Sequence, residues 1–523
     1  MYRLTPFLFL AFITIACAQP SEGNGEKSFA ISLASMIPLL DVEKQLIEIL
    51  ENYIKKLEDK VVLLKAFGDE MAEENLESLK DPEGYVSNPL NSFRLIRRLQ
   101  RDWINIEAYI LTHQEENEYL DAMAAHHKQM PTSIDLEDAV EGIDRLQTVY
   151  DLEIDAMANG ILNGKQYKYR LSSLDRFSMG VHLYDQKRYQ DALFWLYSSM
   201  LSYQDNSFNT ILDFHKTKIF ELYAESLLEL NRPTDALIAI SRAAELNIFD
   251  ARLLKRKNDI EMLVKTRKLD PQENFTQRRG GEPTDFQLGC RGNFPTIPNK
   301  LYCIYNTTTT AFVRLAPFKM EFLSLDPYIA LYHDVLTDRE IVTLKDLVKT
   351  NLKRATVFDK YQQKNAINHE RVAKISWLPD DSSNTTLGII QKLADMTGLN
   401  TSGWEPMQIM NYGLGGHFKE HFDFFNLSET TPFTDINAQN DRLATILVYM
   451  SDVEQGGSTI FPNIRTVVSP KKGTAVVWYN LDNALNPDSR TLHAACPVLV
   501  GSKWVLTKWV NSLHQTFRKP CYR

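Results

Sequence analysis

Hydrophobic periodicity in this chain changes character once, and that change limits its architecture more than any other feature. Up to about residue 265, apolar residues recur at spacings of three and four, the helical period. Beyond 321 the pattern becomes short runs rich in β-branched and aromatic residues: ATILVYM (444–450), GTAVVWYNL (473–481) and KWVLTKWV (503–510). Glycine and asparagine turns separate these runs, and one helix pattern sits at 339–355. A chain of 523 residues is also too long for one core, so two to four domains are expected. The expected class is multidomain α + β, with helices first and sheet last.

The helical part divides further. In 39–66, Leu46, Leu50, Tyr53, Leu57, Val61 and Leu64 form one stripe with charges between them. This pattern predicts a long amphipathic helix with coiled-coil character. It fits equally a helix packed on its own domain and a dimer seam. Helical patterning continues to about 158. Residues 188–193 read RYQDAL and residues 232–237 read RPTDAL, each set between two apolar helix patterns. These two helix–turn–helix units resemble tetratricopeptide repeats, whose period of about 34 residues would be lengthened by an insertion around 204–212. Such units stack into a concave groove. The first carries Tyr184, Tyr189, Phe194, Trp195, Tyr197 and Tyr203. Most of these are expected in the core, and some are expected to line a groove for proline-rich peptide, because flat aromatic faces pack on pyrrolidine rings. From about 266 to 320 the periodicity fails, which reads as a linker.

Charge and leader narrow the function class. The net charge is −9, with acids and bases mixed along the chain. Nucleic acid is therefore not the expected partner, since phosphate binding needs concentrated basic surface. The opening MYRLTPFLFLAFITIACAQP has Arg3, a short apolar run and a small-x-small site at Ala16-Cys17-Ala18. It reads as a secretory signal peptide rather than a membrane span, and no later run is long enough to cross a bilayer. Removing Cys17 leaves Cys290, Cys303, Cys496 and Cys521. In a secretory compartment these suggest two disulfides with three possible connectivities. Nearest-neighbour pairing, Cys290–Cys303 and Cys496–Cys521, is expected. Sequons begin at Asn274, Asn306, Asn384, Asn400 and Asn426.

The stretch NYGLGGHFKEHFDFF (411–425) places ionisable groups among aromatics. On a strand, His421 and Asp423 would project together, with Phe422 and Phe424 on the opposite side. Two ligands cannot complete a metal site, and the best third is His493. Two imidazoles and one carboxylate form the facial triad of non-haem Fe(II) oxygenases, which leaves positions open for cosubstrate and O₂. His417 reads as wall or support; His126, His127 and His333 read as ordinary histidines. Ten residues beyond His493 stands Lys503, which shares a strand face with Val505, Thr507 and Trp509. A buried lysine needs an anion, and a bound dicarboxylate would supply one. A solvated strand lysine is the alternative.

NYGLGGHFKEHFDF, RLATILVYMSDVEQGGSTIFP, PKKGTAVVWYNL and HAACPVLVGSKWV together resemble the α subunit of collagen prolyl 4-hydroxylase. The resemblance runs nearly end to end after the signal peptide. It implies a signal peptide at 1–18, a helical coiled-coil dimerisation domain at 19–160 and a TPR-like peptide-substrate-binding domain at 165–265. A linker with a disulfide loop at 266–320 and a catalytic double-stranded β-helix, or jelly roll, at 321–523 follow. It implies Fe(II), 2-oxoglutarate, O₂ and L-ascorbate, with His421, Asp423 and His493 as iron ligands. Lys503 would hold the 2-oxoglutarate C5 carboxylate, and Tyr412, Tyr449, Thr507 and Trp509 would line the cosubstrate pocket. The implied reaction is C4 hydroxylation of proline in X-Pro-Gly sequences, coupled to conversion of 2-oxoglutarate to succinate and CO₂. The implied partners are procollagen or another proline-rich peptide, and protein disulfide isomerase as β subunit of an α₂β₂ tetramer in the endoplasmic reticulum lumen. The chain ends KPCYR, without a retention signal of its own. The groove tyrosines of that family do not map cleanly across YAESLLELNRP. Two other readings share these features: a related hydroxylase with another substrate, and a non-catalytic lumenal protein that keeps the fold.

Overall fold

The apolar stripe at 39–66 folds inward on its own chain. A computed structural model describes residues 29–54, 61–111, 117–266, 282–295, 301–359, 364–366, 370–425 and 440–515. The leader, the sequons at Asn274 and Asn426, and Cys521 lie outside these. The described part of this stretch lies in two helices, Leu33–Ile54 and Val61–Lys80, which pack on each other. Leu46, Leu50 and Leu64 are fully buried in a core shared with Leu90, Phe93, Leu95, Ala139, Val140 and Ile143. The latter come from the helices Pro89–Arg97 and Ser133–Tyr150. Each such leucine contributes about 1.5–3 kcal/mol of burial, and neighbouring helices of the same chain already collect it. These residues therefore form the packed-on-its-own-domain arrangement.

The repeated hexapeptides take equivalent structural roles. RYQDAL opens the helix Tyr189–Ser202, and RPTDAL opens Pro233–Leu246. In each, the arginine stands at the N-cap position and its Nε donates to the aspartate three residues on: Arg188 to Asp191 at 3.0 Å, Arg232 to Asp235 at 2.8 Å. Each helix packs on the one before it, Ser173–Asp185 or Lys216–Glu229, giving two successive helix hairpins. The short helix Phe208–Ile211 occupies the insertion. Of the six aromatics, most of them expected in the core, Trp195 is fully buried, Tyr184, Tyr189, Phe194 and Tyr203 are half-buried, and Tyr197 is exposed. Phe194 and Tyr197 instead line a cavity of ≈ 580 Å³, with Phe220, Tyr223 and Ile238 from the second hairpin.

The C-terminal part is an antiparallel two-sheet assembly, consistent with a jelly roll. The larger sheet orders its strands Cys303–Asn306, Phe318–Leu325, Tyr328–His333, Ala475–Tyr479, Arg442–Tyr449, Trp504–Asn511, Met407–Asn411, Lys374–Leu378 and Lys353–Arg354. Its edge strand thus begins at Cys303, inside the stretch that sequence reads as linker. The smaller sheet orders Phe418–His421, His493–Ala495, Thr459–Phe461 and Thr466–Val468. One face of the large sheet, carrying Ile409, Ile446, Val448 and Leu506, is covered by the helices Asp338–Val348 and Asn384–Thr397. The other face, carrying Met410, Tyr449, Val476, Trp478 and Val505, meets Phe461, Ala495 and Val468 of the small sheet. The alternation read from 503–510 holds: Val505 joins the inter-sheet core, while Leu506 and Val510 join the helix-covered one.

The cysteine pairing differs from expectation. Cys290 is joined to Cys496, and Cys303 is exposed and has no disulfide partner among the described residues. Cys290 ends the helix Asp285–Cys290, which packs with Val149, Ile460 and Ala494 around Cys496. Nearest-neighbour reasoning considered only loop closure, whereas the fold sends Cys303 to an outer sheet edge. Non-reducing peptide mapping should recover Cys290 linked to Cys496; recovery of Cys290 linked to Cys303 would reinstate the neighbour pairing. One sequon is also spent inside the fold, because the Asn306 amide is buried and donates to the Met396 carbonyl at 2.9 Å.

Candidate metal and cosubstrate centre

The two histidines meet through one rung of the small sheet. Strand Phe418–His421 pairs antiparallel with His493–Ala495, and the register sets His421 opposite His493. Asp423 lies beyond the strand end, in a bend, and not on the strand face that alternation predicts. The bend turns its carboxylate back between the imidazoles. Oδ1 is 3.8 Å from His421 Nε2, and Oδ2 is 3.6 Å from His493 Nε2. The candidate ligand atoms all lie within 4.8 Å of one another, the one such group of three among the described residues.

Each side chain is held from behind. His421 Nδ1 lies 2.7 Å from the Lys419 carbonyl, and His493 Nδ1 lies 3.0 Å from the Thr491 carbonyl. A carbonyl only accepts, so each Nδ1 carries the proton and each Nε2 lone pair faces the shared point. Thr445 Oγ1 donates to Asp423 Oδ2 at 2.7 Å and accepts from Asn480 Nδ2 at 3.0 Å. Burial pushes the His421 imidazole well below its ordinary range, and His493 beside it acts in the same direction. Burial would raise the Asp423 carboxyl, but His493, His421, Arg442 and the Thr445 hydroxyl together hold it low. At neutral pH the site therefore offers a neutral His421 and a charged Asp423, the states a divalent metal binds.

The phenylalanines of 411–425 supply only part of the apolar wall around the histidines. Phe422 and Phe425 are 38% and 53% exposed. The wall comes instead from Phe418, stacked on the His421 ring at 3.5 Å, and from Trp478 and Phe461, 4.8 and 5.8 Å from His493. His417 is buried nearby and outside the ligand group.

Lys503 is buried, and its Nζ makes no hydrogen bond among the described residues. It lies 4.9 Å over the Tyr412 ring and 6.0 Å over the Tyr449 ring. Five residues on, Lys508 is equally buried but reaches the Asp380 carboxylate at 2.5 Å and the Glu405 carbonyl. The two buried lysines of this segment thus differ: Lys503 is the one without an anion among the described residues. Thr507 Oγ1 and Trp509 Nε1, on the same face, also lack partners among the described residues. Tyr449 commits its hydroxyl to Thr459 Oγ1 at 2.7 Å, which makes it a fixed wall. Trp509 stacks with the Arg442 guanidinium at 3.9 Å and with Trp377, away from the tyrosine pair. Sequence reasoning missed Thr445, Arg442, Phe461 and Trp478. A hydroxyl inside the apolar run ATILVYM was the available signal for Thr445.

Residues 407–511 match the profile of the 2OG-Fe(II) oxygenase superfamily. Residues 32–164 match that of the prolyl 4-hydroxylase alpha-subunit N-terminal region. Over the whole length, the chain is 33% identical to prolyl 4-hydroxylase subunit alpha-2 of Gallus gallus, across 99% of both chains. The chain belongs to the prolyl 4-hydroxylase α-subunit family. Human subunit alpha-1 is 32% identical across 94% of this chain and 95% of its own. Caenorhabditis elegans subunit alpha-2 is 32% identical across 94% and 92%. A solved viral collagen prolyl hydroxylase from Paramecium bursaria Chlorella virus 1, as a 2OG complex, aligns with 35% of this chain and 96% of its own at 25% identity and a TM-score of 0.29. Prolyl 4-hydroxylase α subunits are Fe(II)- and 2-oxoglutarate-dependent oxygenases, and the donors here suit both groups. Two imidazoles and a carboxylate suit Fe(II) with positions left open, and the unpartnered Lys503 suits an anionic cosubstrate.

Proposed function

We propose that this chain is the catalytic α subunit of a procollagen-proline 4-dioxygenase, acting on proline in X-Pro-Gly sequences. The convergence of His421, Asp423 and His493, with both Nε2 atoms free, carries this reading. Bound Fe(II), with 2-oxoglutarate and O₂, supplies the oxidation that replaces a proline C4 hydrogen by hydroxyl and yields succinate and CO₂. The chain's own side chains do the rest. Lys419 and Thr491 carbonyls fix the imidazole tautomers, Thr445 orients Asp423, and Phe418, Phe461 and Trp478 exclude water. Lys503 holds the far carboxylate of the cosubstrate, with Thr507 positioned to donate a second hydrogen bond. Tyr412 and Tyr449 form the walls beside it, and Trp509 stands further toward the exposed Trp377. L-ascorbate is the expected reductant.

The two helix hairpins serve as a TPR-like domain for a proline-rich chain in polyproline II form. Support comes from the aromatic cavity of Tyr197 and Tyr223, whose faces suit pyrrolidine rings. The N-terminal helical region serves in dimerisation, and protein disulfide isomerase is the β subunit of an α₂β₂ tetramer. The leader and sequons support a lumenal site in the endoplasmic reticulum. No helix among the described residues is long and apolar enough to cross a membrane.

The test co-expresses the chain with protein disulfide isomerase and offers Pro-Pro-Gly repeats. Mass spectrometry should find one added oxygen per modified proline, lost when Fe(II) or 2-oxoglutarate is omitted. Tyr223→Ala should raise the peptide requirement and spare that for 2-oxoglutarate. Unmodified peptide in the complete reaction would overturn the assignment.

Lys503 gives the site a pH signature. Burial pushes its ammonium down from 10.5 to about 7. The unfolded chain thus binds the proton more tightly, and this group's contribution to stability rises with pH between about 7 and 10.5. A bound dicarboxylate favours the charged form, so binding above pH 7 draws in a proton and weakens as pH rises. Calorimetry at pH 8 in buffers of different ionisation enthalpy should show proton uptake; buffer-independent heats would contradict it.

A further inference from the structure

The loop that carries Tyr412 is not supported by the sheet domain alone. The N-terminal segment just before the first helix lies against it. Asn411, fully buried at the end of strand Met407–Asn411, accepts at Oδ1 from Ser32 Oγ at 2.7 Å and from the Ala34 N–H at 2.8 Å. The Nδ2 of the same amide donates to the Lys503 carbonyl at 3.4 Å, which also accepts from the Tyr412 N–H at 3.1 Å. One side chain therefore joins residues 32–34 to the backbone of the cosubstrate lysine and of the tyrosine below its ammonium.

Neighbouring contacts extend this seam. The Leu414 N–H donates to the Ala30 carbonyl at 2.8 Å, and Arg145 Nη1 donates to the Gly415 carbonyl at 2.9 Å. Backbones approach so closely that a Cβ on Gly413 would overlap the Ala30 carbonyl, and one on Gly142 would sit 2.6 Å from the Leu414 oxygen. Leu414 is counted in the helical domain's core and not in the sheet's. The loop leading to the metal-binding strand is thus packed as part of the N-terminal unit.

We propose that segment 30–34 completes the cosubstrate pocket, with Ser32 and Asn411 as positioning residues that fix Lys503 and Tyr412. This rests on the reading of Lys503 as the 2-oxoglutarate anchor. A pocket so built fills with cosubstrate only when the N-terminal region is docked.

Calorimetry of 2-oxoglutarate on the full-length, Fe(II)-loaded protein without oxygen tests this, together with KM values from turnover. Loss of the buried amide in Asn411→Ala should weaken 2-oxoglutarate binding about tenfold, the effect of one to two buried hydrogen bonds. Ser32→Ala should weaken it in the same direction by less. In both, the 2-oxoglutarate KM should rise while Fe(II) affinity and peptide KM stay put. Unchanged 2-oxoglutarate affinity in the folded variants would overturn the proposal, as would equal losses toward metal, cosubstrate and peptide. If Asn411→Ala does not fold, Ser32→Ala decides. Failure of the unmodified protein to bind 2-oxoglutarate would remove the Lys503 assignment itself, and this inference with it.

Discussion

His493→Ala and Asp423→Ala should each abolish turnover while the protein stays folded. Changing a group that only supports a metal ligand costs about 10- to 100-fold, so loss of a ligand should cost more. Both sites tolerate truncation structurally. His493 stands on a strand where alanine already follows it twice, and its neighbours Trp478 and Phe461 remain packed on one another. Asp423 is a buried carboxylate in a bend, and its loss leaves Thr445 still bonded to Asn480. Bound iron, CO₂ release from labelled 2-oxoglutarate and the thermal midpoint should be followed together. Iron and CO₂ should fall with little change in midpoint. Near-normal CO₂ release from either variant would remove that residue from the ligand set.

Lys503→Ala should raise the 2-oxoglutarate requirement by about 30- to 150-fold, the equivalent of about 2–3 kcal/mol for a charge-assisted hydrogen bond in a buried site. The peptide KM should hardly move. The variant also relieves the folded protein of a buried cation with no anion, so the empty protein should melt at the same temperature or higher. That combination separates a ligand anchor from a structural lysine. Lys508 supplies the comparison: it is itself fully buried and ion-paired with the half-buried Asp380, so removing it breaks that pair and stability should drop. An unchanged cosubstrate KM in Lys503→Ala, or a loss of stability like that of Lys508→Ala, would contradict the assignment.

Much of the site was legible because it follows local rules. Strand alternation is a period of two, so it put Lys503, Thr507 and Trp509 on one face and Lys508 on the other without knowledge of any neighbour. The matching hexapeptides revealed two hairpins because the same arginine–aspartate contact recurs at the same helix start. The chemistry of two histidines and an aspartate named the kind of metal site they could make.

What composition and spacing determined, then, was helices before sheet and the identities of the iron and cosubstrate candidates. Only the folded chain decided which groups meet. Ladder register brought His421 and His493 together across a long sequence gap, and a bend rather than a strand aimed Asp423. Distant packing chose Cys496 for Cys290, turned Phe422 and Phe425 outward, and set Ser32 against Asn411. Local periodicity says which side of an element is apolar. It carries no information about which other surface covers that side, because that choice rests on the summed burial and hydrogen bonding of the whole chain.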